Sequence, residues 1–342
     1  MSKTKAIVYA LLAAVFYAIN VPVSKLLLVH IGPTTMAALL YLGAGIGMSV
    51  LSVADKSDKG EKLDRHDLPY TIGMIVLDIA APIFMMLGIS YGTSANASLL
   101  GNFEIVATTL IALLIFKERV SRRLWGAIAL ITFSSALLSF EGAGSFSFSY
   151  GSLFVIAATV CWGLENNCTR NISSKDTYQI VILKGIFSGL GALIIAFIKH
   201  ESMPSPGYIA AALLLGFAAY GLSIFLYVRA QSVIGAAKTS AYYAVAPFIG
   251  AFLSFAFLHE ELTVIYLISL LVMIAGASVV VADTLIRSHE HEHQHTYTHF
   301  HNGHMHTHII FHSHTHDHYV TETKHGHHHS MKELESAHVP HS

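Results

Sequence analysis

The 342-residue sequence reads as an all-α membrane protein of about ten transmembrane helices, set out as two inverted five-helix repeats and followed by a disordered, histidine-rich C-terminal tail. Three observations carry that reading. The composition is 54% hydrophobic and 12% charged, whereas soluble domains run near about 25% charged. Lysine and arginine collect in alternate loops. The two halves of the chain repeat each other at a nearly constant offset.

Apolar runs punctuated by glycine, proline and charge clusters place spans near 6–28, 34–53, 69–89, 95–116 and 123–140, then near 150–168, 178–198, 207–228, 237–257 and 263–283. The chain therefore divides into a first repeat over 1–140, a second over 150–283 and a tail over 284–342. The run from Ala6 to Val29 follows Lys3 and Lys5; it is too long for a signal-peptide core, lacks a small-residue cleavage site and is expected to be a retained first span. Cys161 and Cys168 stand seven residues apart on one helix face, roughly 10 Å from each other, too far to bridge.

With the N-terminus inside, fifteen of the twenty lysines and arginines fall in loops on the inner side and only Lys199 on the outer side; Lys25 and Lys184 lie within spans, Lys324 and Lys332 in the tail. That bias predicts a multi-pass protein of the plasma membrane with both termini cytoplasmic. The net charge of −1 carries no nucleic-acid signature.

The repeat is visible in the residues. Ala13–Ser24, with Phe16-Tyr17-Ala18-Ile19-Asn20, echoes Ala158–Thr169, with Cys161-Trp162-Gly163-Leu164-Glu165, at an offset of 145. Thr93–Val120, ending Phe116-Lys117-Glu118-Arg119-Val120, echoes Gly235–Leu262, ending Leu258-His259-Glu260-Glu261-Leu262, at an offset of 142. A repeat of five spans inserts its second copy upside down, and the charges agree: the loop holding Lys117, Arg119, Arg122 and Arg123 has no basic lysine or arginine in its counterpart. Inverted repeats around a midplane site are a hallmark of secondary transporters.

Polar groups inside spans are costly, so they are the candidate cavity and coupling residues. Asp78 precedes Pro82 by four residues, which frees its carbonyl and should kink the third span; its alternative role is pairing with a basic neighbour. Glu104 lies in the fourth span beside a Ser94, Ser98, Asn102 stripe at helical spacing and is placed to take up a proton during transport. Glu165 and Asn166 fall late in the sixth span at the repeat position of Asn20, which predicts that Asn20 and Glu165 line one cavity; neutralising Arg170 is the plainer role for Glu165. Lys184, beside Gly185-Ile-Phe-Ser-Gly189, is either a counter-ion for a substrate anion or a partner of one of these carboxylates. The Gly43-Ala-Gly-Ile-Gly47 stretch matches that glycine motif at offset 142, and both are helix-contact motifs first. Tyr242 and Tyr243 precede Pro247, whose missing N–H frees the Tyr243 carbonyl and predicts a broken ninth span.

Nineteen of the 23 histidines lie between His289 and His341. The stretches His289, His291, His293, His295 and His312, His314, His316, His318 alternate histidine with other residues; imidazole at that density is a ligand set for zinc, nickel or cobalt. The spacing fits no closed zinc finger. The tail is read in three ways: a polar extension, a metal buffer or sensor regulating the bundle, or a feeder of metal to a metal-exporting bundle.

These residues in this order resemble the drug/metabolite transporter superfamily, and within it the EamA-type members with two five-helix repeats; the resemblance covers about residues 5–283. It implies ten helices, a central cavity lined mainly by spans 1, 3, 4, 6, 8 and 9 with spans 5 and 10 towards the edge, and export or import of amino acids, other metabolites or drugs, often with proton coupling. Ile105 stands where an echo of Pro247 is usual, with the unusual charge of Glu104 just before it. The resulting expectation is a secondary carrier of a small metabolite or drug working by alternating access, requiring no cofactor, with the lipid bilayer, its solute and protons as partners and a homodimer allowed. The competing readings are a divalent metal exporter fed by the tail and a membrane-anchored metal sensor. No catalytic motif marks it as an enzyme.

Overall fold

The computed structural model describes residues 2–55, 61–117, 121–141, 147–172, 175–234, 239, 242–284, 286–301 and 304–319. They form two units, Met1–Asp283 and Thr284–Ser342.

The first unit is a helical bundle. Ser2 accepts from the Lys5 amide and so caps α1 (Lys3–Ala18), which gives way at Ile19 to α2 (Asn20–Leu27). Pro33 opens α3 (Pro33–Ala54), and α4 (Leu68–Tyr91) runs unbroken through Pro82. The fourth span is two helices, α5 (Ser94–Leu100) and α6 (Phe103–Phe116), parted by a turn at Gly101-Asn102. Then come α7 (Arg122–Leu138), a two-residue pairing of β1 (Phe140–Glu141) with β2 (Ser147–Phe148), and α8 (Tyr150–Ile172). In the second half follow α9 (Thr177–Ile198), α10 (Pro206–Gly216), a π-helical segment at Phe217–Leu222, α11 (Ser223–Ile234), α12 (Ala246–Leu258) and α13 (Val264–Thr284).

Among the described residues seven of these helical stretches are long and apolar enough to cross a membrane: Lys3–Leu27, Pro33–Ala54, Leu68–Tyr91, Ser94–Ile115, Thr177–Ile198, Pro206–Ala230 and Val264–Asp283. Helices α7, α8 and α12 occupy the other three expected spans. The chain is thus a multi-pass membrane protein.

Contacts between loops show the helices alternating in direction. At the end where α1 begins, which we call the terminus face, Lys175 Nζ lies 3.3 Å from Glu61, Arg229 pairs with Asp55, and Ser121 donates to Asp283 at 2.6 Å. At the far face Glu201 accepts from the Thr34 and Thr35 amides at 3.1 and 2.8 Å, and Glu260 from the Ser94 and Ala95 amides at 2.7 and 2.8 Å. Each carboxylate comes from the second repeat and satisfies orphan N–H groups that begin a helix of the first. Burial alone would raise the Glu201 carboxyl, but the Thr34 and Thr35 donors outweigh it and hold it below its ordinary range.

The repeats cross on their glycines. Helix α3 packs on its repeat mate α9, α4 on α8, and α1 on α11. At the α3–α9 crossing Gly45 and Gly185 bring backbone onto backbone; a Cβ on Gly45 would stand 2.7 Å from the Ile186 nitrogen. These are the two glycine motifs matched at offset 142, which meet each other.

The second unit differs from the disorder read from composition. Strands β3 (Ile286–His301) and β4 (His304–Tyr319) pair antiparallel from Ile286↔Tyr319 to His301↔His304. Histidine alternating with threonine, tyrosine, phenylalanine and isoleucine has the period of a strand, and the connecting sequence Asn302-Gly303 is the strongest short hairpin signal.

Candidate functional site

Four irregularities interrupt the helices of the bundle: the α1/α2 junction at Ile19, the Gly101-Asn102 turn, the π-helical segment, and the turn at Ala244-Val245 that precedes α12, which carries Pro247 in its first turn. Backbone freed inside a membrane protein is tolerated where it is buried or borders water, and here the four breaks surround a cavity of about 560 Å³. The cavity reaches from Ser98 and Gly250 in the interior to Thr169 and Thr177 at the ends of α8 and α9, so it extends towards the terminus face. Its lining comes from eight expected spans. Spans 2 and 7 contribute Tyr41 and Lys184, which the resemblance had left out, while spans 5 and 10 contribute none. The reason is the close glycine crossing of α3 and α9, which draws both helices to the centre.

Within it Lys184 bridges two carboxylates. Its Nζ lies 3.1 Å from Asp78 Oδ2 and 3.0 Å from Glu165 Oε1. Asp78 is fully buried behind the lining, and its other oxygen accepts from the Tyr41 hydroxyl at 2.9 Å, which in turn accepts from Trp162 Nε1 at 3.3 Å. Glu165 also accepts from Thr169 Oγ1. A lysine shared by two carboxylates, each with a further donor, is how a low-dielectric interior keeps charges it cannot solvate. Of the two roles open to Lys184, the structure places it as the carboxylates' partner.

Glu104 is arranged differently. It stands in the first turn of α6, at a helix N-terminus that favours negative charge. Its Oε1 accepts from Asn166 Nδ2 at 2.7 Å, and among the described residues no lysine or arginine lies within ion-pair distance of it. Asn166 in turn reaches Thr108 Oγ1 at 3.3 Å. Lining the same cavity as Glu104 is a run of tyrosines with ring centroids 5.2–6.0 Å apart, Tyr41–Tyr220–Tyr17–Tyr243–Tyr227.

The remaining expected residues divide. Asn102 is buried at the helix break, lines the cavity and donates to the Leu99 carbonyl at 3.3 Å. Tyr243 lines the cavity and Tyr242 does not. Asn20 does not meet Glu165: its amide donates to the Tyr220 hydroxyl at 3.0 Å and it accepts from Ser24 at 3.1 Å. Lys184 is long enough to reach Glu165 from α9, so the repeat-mate pairing gives way to an ion pair. The eight tail histidines all lie on β3 and β4, whose register pairs His289 with His316, His291 with His314 and His293 with His312; His295 and His318 face Ile310 and Arg287. Their side chains lie outside the described residues. The expected ninth-span break is present, whereas the fourth-span break, without a proline, had no strong signal beyond Gly101. The aromatic wall was also missed, although Tyr17 and Trp162 stand at the repeat offset of 145 and are legible as a pair.

Comparison with known proteins agrees with this architecture. The EamA-like transporter family matches residues 4–140 and 149–282, one stretch for each repeat. The chain is 26% identical over 285 residues, 77% of its length and 82% of the relative's, to an uncharacterized transporter of Methanothermobacter thermautotrophicus. It is 23% identical over 243 residues, 66% of its length and 77% of the relative's, to the uncharacterized transporter YyaM of Bacillus subtilis. A solved structure, described as "Crystal structure of protein", shares the fold with a TM-score of 0.61 at 16% identity, covering 83% of this chain and 98% of that one. With two matched five-helix repeats enclosing a solute-sized cavity, the chain belongs to the EamA-like transporter family, and its work is the membrane transport of small molecules.

Proposed function

We propose that the protein is a secondary carrier of a small organic solute in the plasma membrane, with both termini cytoplasmic, that alternates access by rocking its two repeats about the central cavity and binds a coupling proton at Glu104. The observation that carries this reading is the contrast between Glu104, a cavity carboxylate held by one neutral amide, and the fully paired Lys184 cluster beside it. A carboxylate without a resident counter-ion is free to exchange a proton for something else; one clamped by lysine is not. The helix-capping contacts of Glu201 and Glu260 tie the repeats together at the far face, while the cavity extends the other way, the arrangement of an inward-facing state. Closing the cycle requires those caps to release and the Asp55–Arg229 and Lys175 contacts to tighten or rearrange at the terminus face.

A transported metal is less well supported: Asp78 and Glu165 converge on Lys184 rather than on a shared vacancy, and among the described residues no group of three or more histidine, cysteine or acidic side chains is placed to hold an ion. The tail is then an accessory divalent-metal binder, for which the cross-strand histidine register is the support.

The test is solute uptake into proteoliposomes holding the full chain under an imposed pH gradient. Gradient-driven accumulation is expected for the wild type and should vanish in Glu104→Gln, while downhill exchange survives. Accumulation undiminished in Glu104→Gln would place the coupling elsewhere. Truncation after Arg287 is expected to leave solute flux unchanged; metal flux that disappears on truncation would replace this reading with a tail-fed exporter.

A further inference from the structure

Charge accounting in the cavity restricts what the carrier holds. Among the described residues the buried site contains three carboxylates, Asp78, Glu104 and Glu165, against the ammonium of Lys184. That ammonium is already engaged at 3.1 and 3.0 Å, so among the described residues the cavity lining offers no free cation to receive a solute's carboxylate or phosphate. It does offer an acceptor: among the described residues Glu104 has one neutral donor, and Tyr17, Tyr220 and Tyr243 line the same cavity. A carboxylate opposed by aromatic faces is the chemistry that receives an ammonium carried on an apolar body, because the ring quadrupole and the anion both attract the charge while the rings cover the hydrocarbon. At about 560 Å³ the cavity is within the size range of sites for drug-sized ligands.

We infer that the transported solute is an organic monocation lacking a carboxylate, an amine or quaternary ammonium with an aromatic or branched apolar body, whose charge sits between Glu104 and the rings of Tyr17, Tyr220 and Tyr243. This rests on the carrier reading above and narrows its substrate class; a zwitterionic amino acid is disfavoured, since among the described lining residues the one cation, Lys184, is already paired with two carboxylates. The described titratable groups that line the cavity with Glu104 are Glu165 on α8, Lys184 on α9 and the phenols of Tyr17, Tyr41, Tyr220, Tyr227 and Tyr243. Lys184 is committed to its own pair. Proton and cation therefore compete for Glu104, and one proton leaves that carboxyl for each cation bound.

The probes are benzyltrimethylammonium, a permanent cation, and N,N,N-trimethylphenylglycine, the same body with a carboxylate on its benzylic carbon. Titration calorimetry on the purified full chain, in buffers of different ionisation enthalpy, measures binding and proton release together. Benzyltrimethylammonium is expected to bind at one site with release of about one proton, and its affinity should rise with pH. The zwitterion should bind at least about tenfold more weakly. In Glu104→Gln the affinity should fall about tenfold or more and proton release should disappear; Tyr243→Leu should weaken binding about fivefold with proton release retained. Wild-type proton release needs no variant and so does not depend on how a variant folds. Equal affinity for the zwitterion, binding without proton release, or the absence of cation binding at millimolar concentration would overturn the inference. If accumulation of another solute under a pH gradient still failed in Glu104→Gln, the carrier reading would stand with a different substrate class. If no solute accumulated at all while the cation bound with proton release, the carrier reading would fall and the binding site would remain.

Discussion

Asp78 and Glu104 are both carboxylates within membrane-spanning helices, and the structure treats them in opposite ways. Asp78 is wholly buried, with Lys184 on one oxygen and the Tyr41 hydroxyl on the other. Glu104 borders the cavity with a single amide donor. A carboxylate with a full set of partners contributes to holding helices α3, α4, α8 and α9 together, and opening it strands charge in a low dielectric. A carboxylate whose partner among the described residues is neutral carries no such clamp. The difference separates structural charge from exchangeable charge more sharply than burial or residue type does.

The comparison breaks most visibly at Lys184. Lys184→Met leaves two carboxylates without compensation and is expected to cost about 3–5 kcal/mol, read as a lowered unfolding midpoint in detergent; adding Asp78→Asn and Glu165→Gln to the same chain should recover much of it. Glu104→Gln, by contrast, should move that midpoint by less than about 1 kcal/mol, since it exchanges one neutral-partnered acceptor for another. A Lys184→Met midpoint no lower than that of Glu104→Gln would abolish the distinction. Tyr41→Phe sharpens it: one oxygen of Asp78 loses its donor and Trp162 its acceptor, for an expected cost of about 1–2 kcal/mol in the same measurement.

The smallest effect concerns the far-face caps. The Thr34 and Thr35 donors hold Glu201 below its ordinary carboxylate range, so its stabilising contribution is present above that range and is lost as pH falls through the lowered folded-state value. Hydrogen exchange of the Thr34 and Thr35 amides, corrected for intrinsic rate, should show protection falling away on acidification, and Glu201→Gln should remove that pH dependence at a cost of about 0.5–1 kcal/mol. Protection that is independent of pH in the wild type would show that the cap contributes nothing to closure.

Much of the bundle was legible because the membrane imposes length and hydrophobicity on every span and the repeat recurs at a nearly constant offset along the chain. The offset of 142 predicted that Gly43–Gly47 and Gly185–Gly189 correspond, and they meet at the α3–α9 crossing. Proline predicted the break ahead of α12. The break at Gly101-Asn102 was not legible, because glycine inside a span is as often a packing residue as a turn. Nor was the length of the tail hairpin, since composition signalled disorder while the period-two alternation and Asn302-Gly303 were present in the same residues.

By itself the sequence determined the number and boundaries of the spans, the inverted repeat, and which polar residues lie at membrane depth, because each of these follows from local composition and order along the chain. Only the tertiary structure decided which of those polar residues neutralise one another. Asn20 and Glu165 are repeat mates in sequence yet pair with Tyr220 and Lys184, while Glu104 has, among the described residues, the Asn166 amide. Pairing depends on the reach of a side chain across a helix crossing, a distance set by small residues on other helices and by the rotation of each helix about its axis, neither of which is written in the residues that pair.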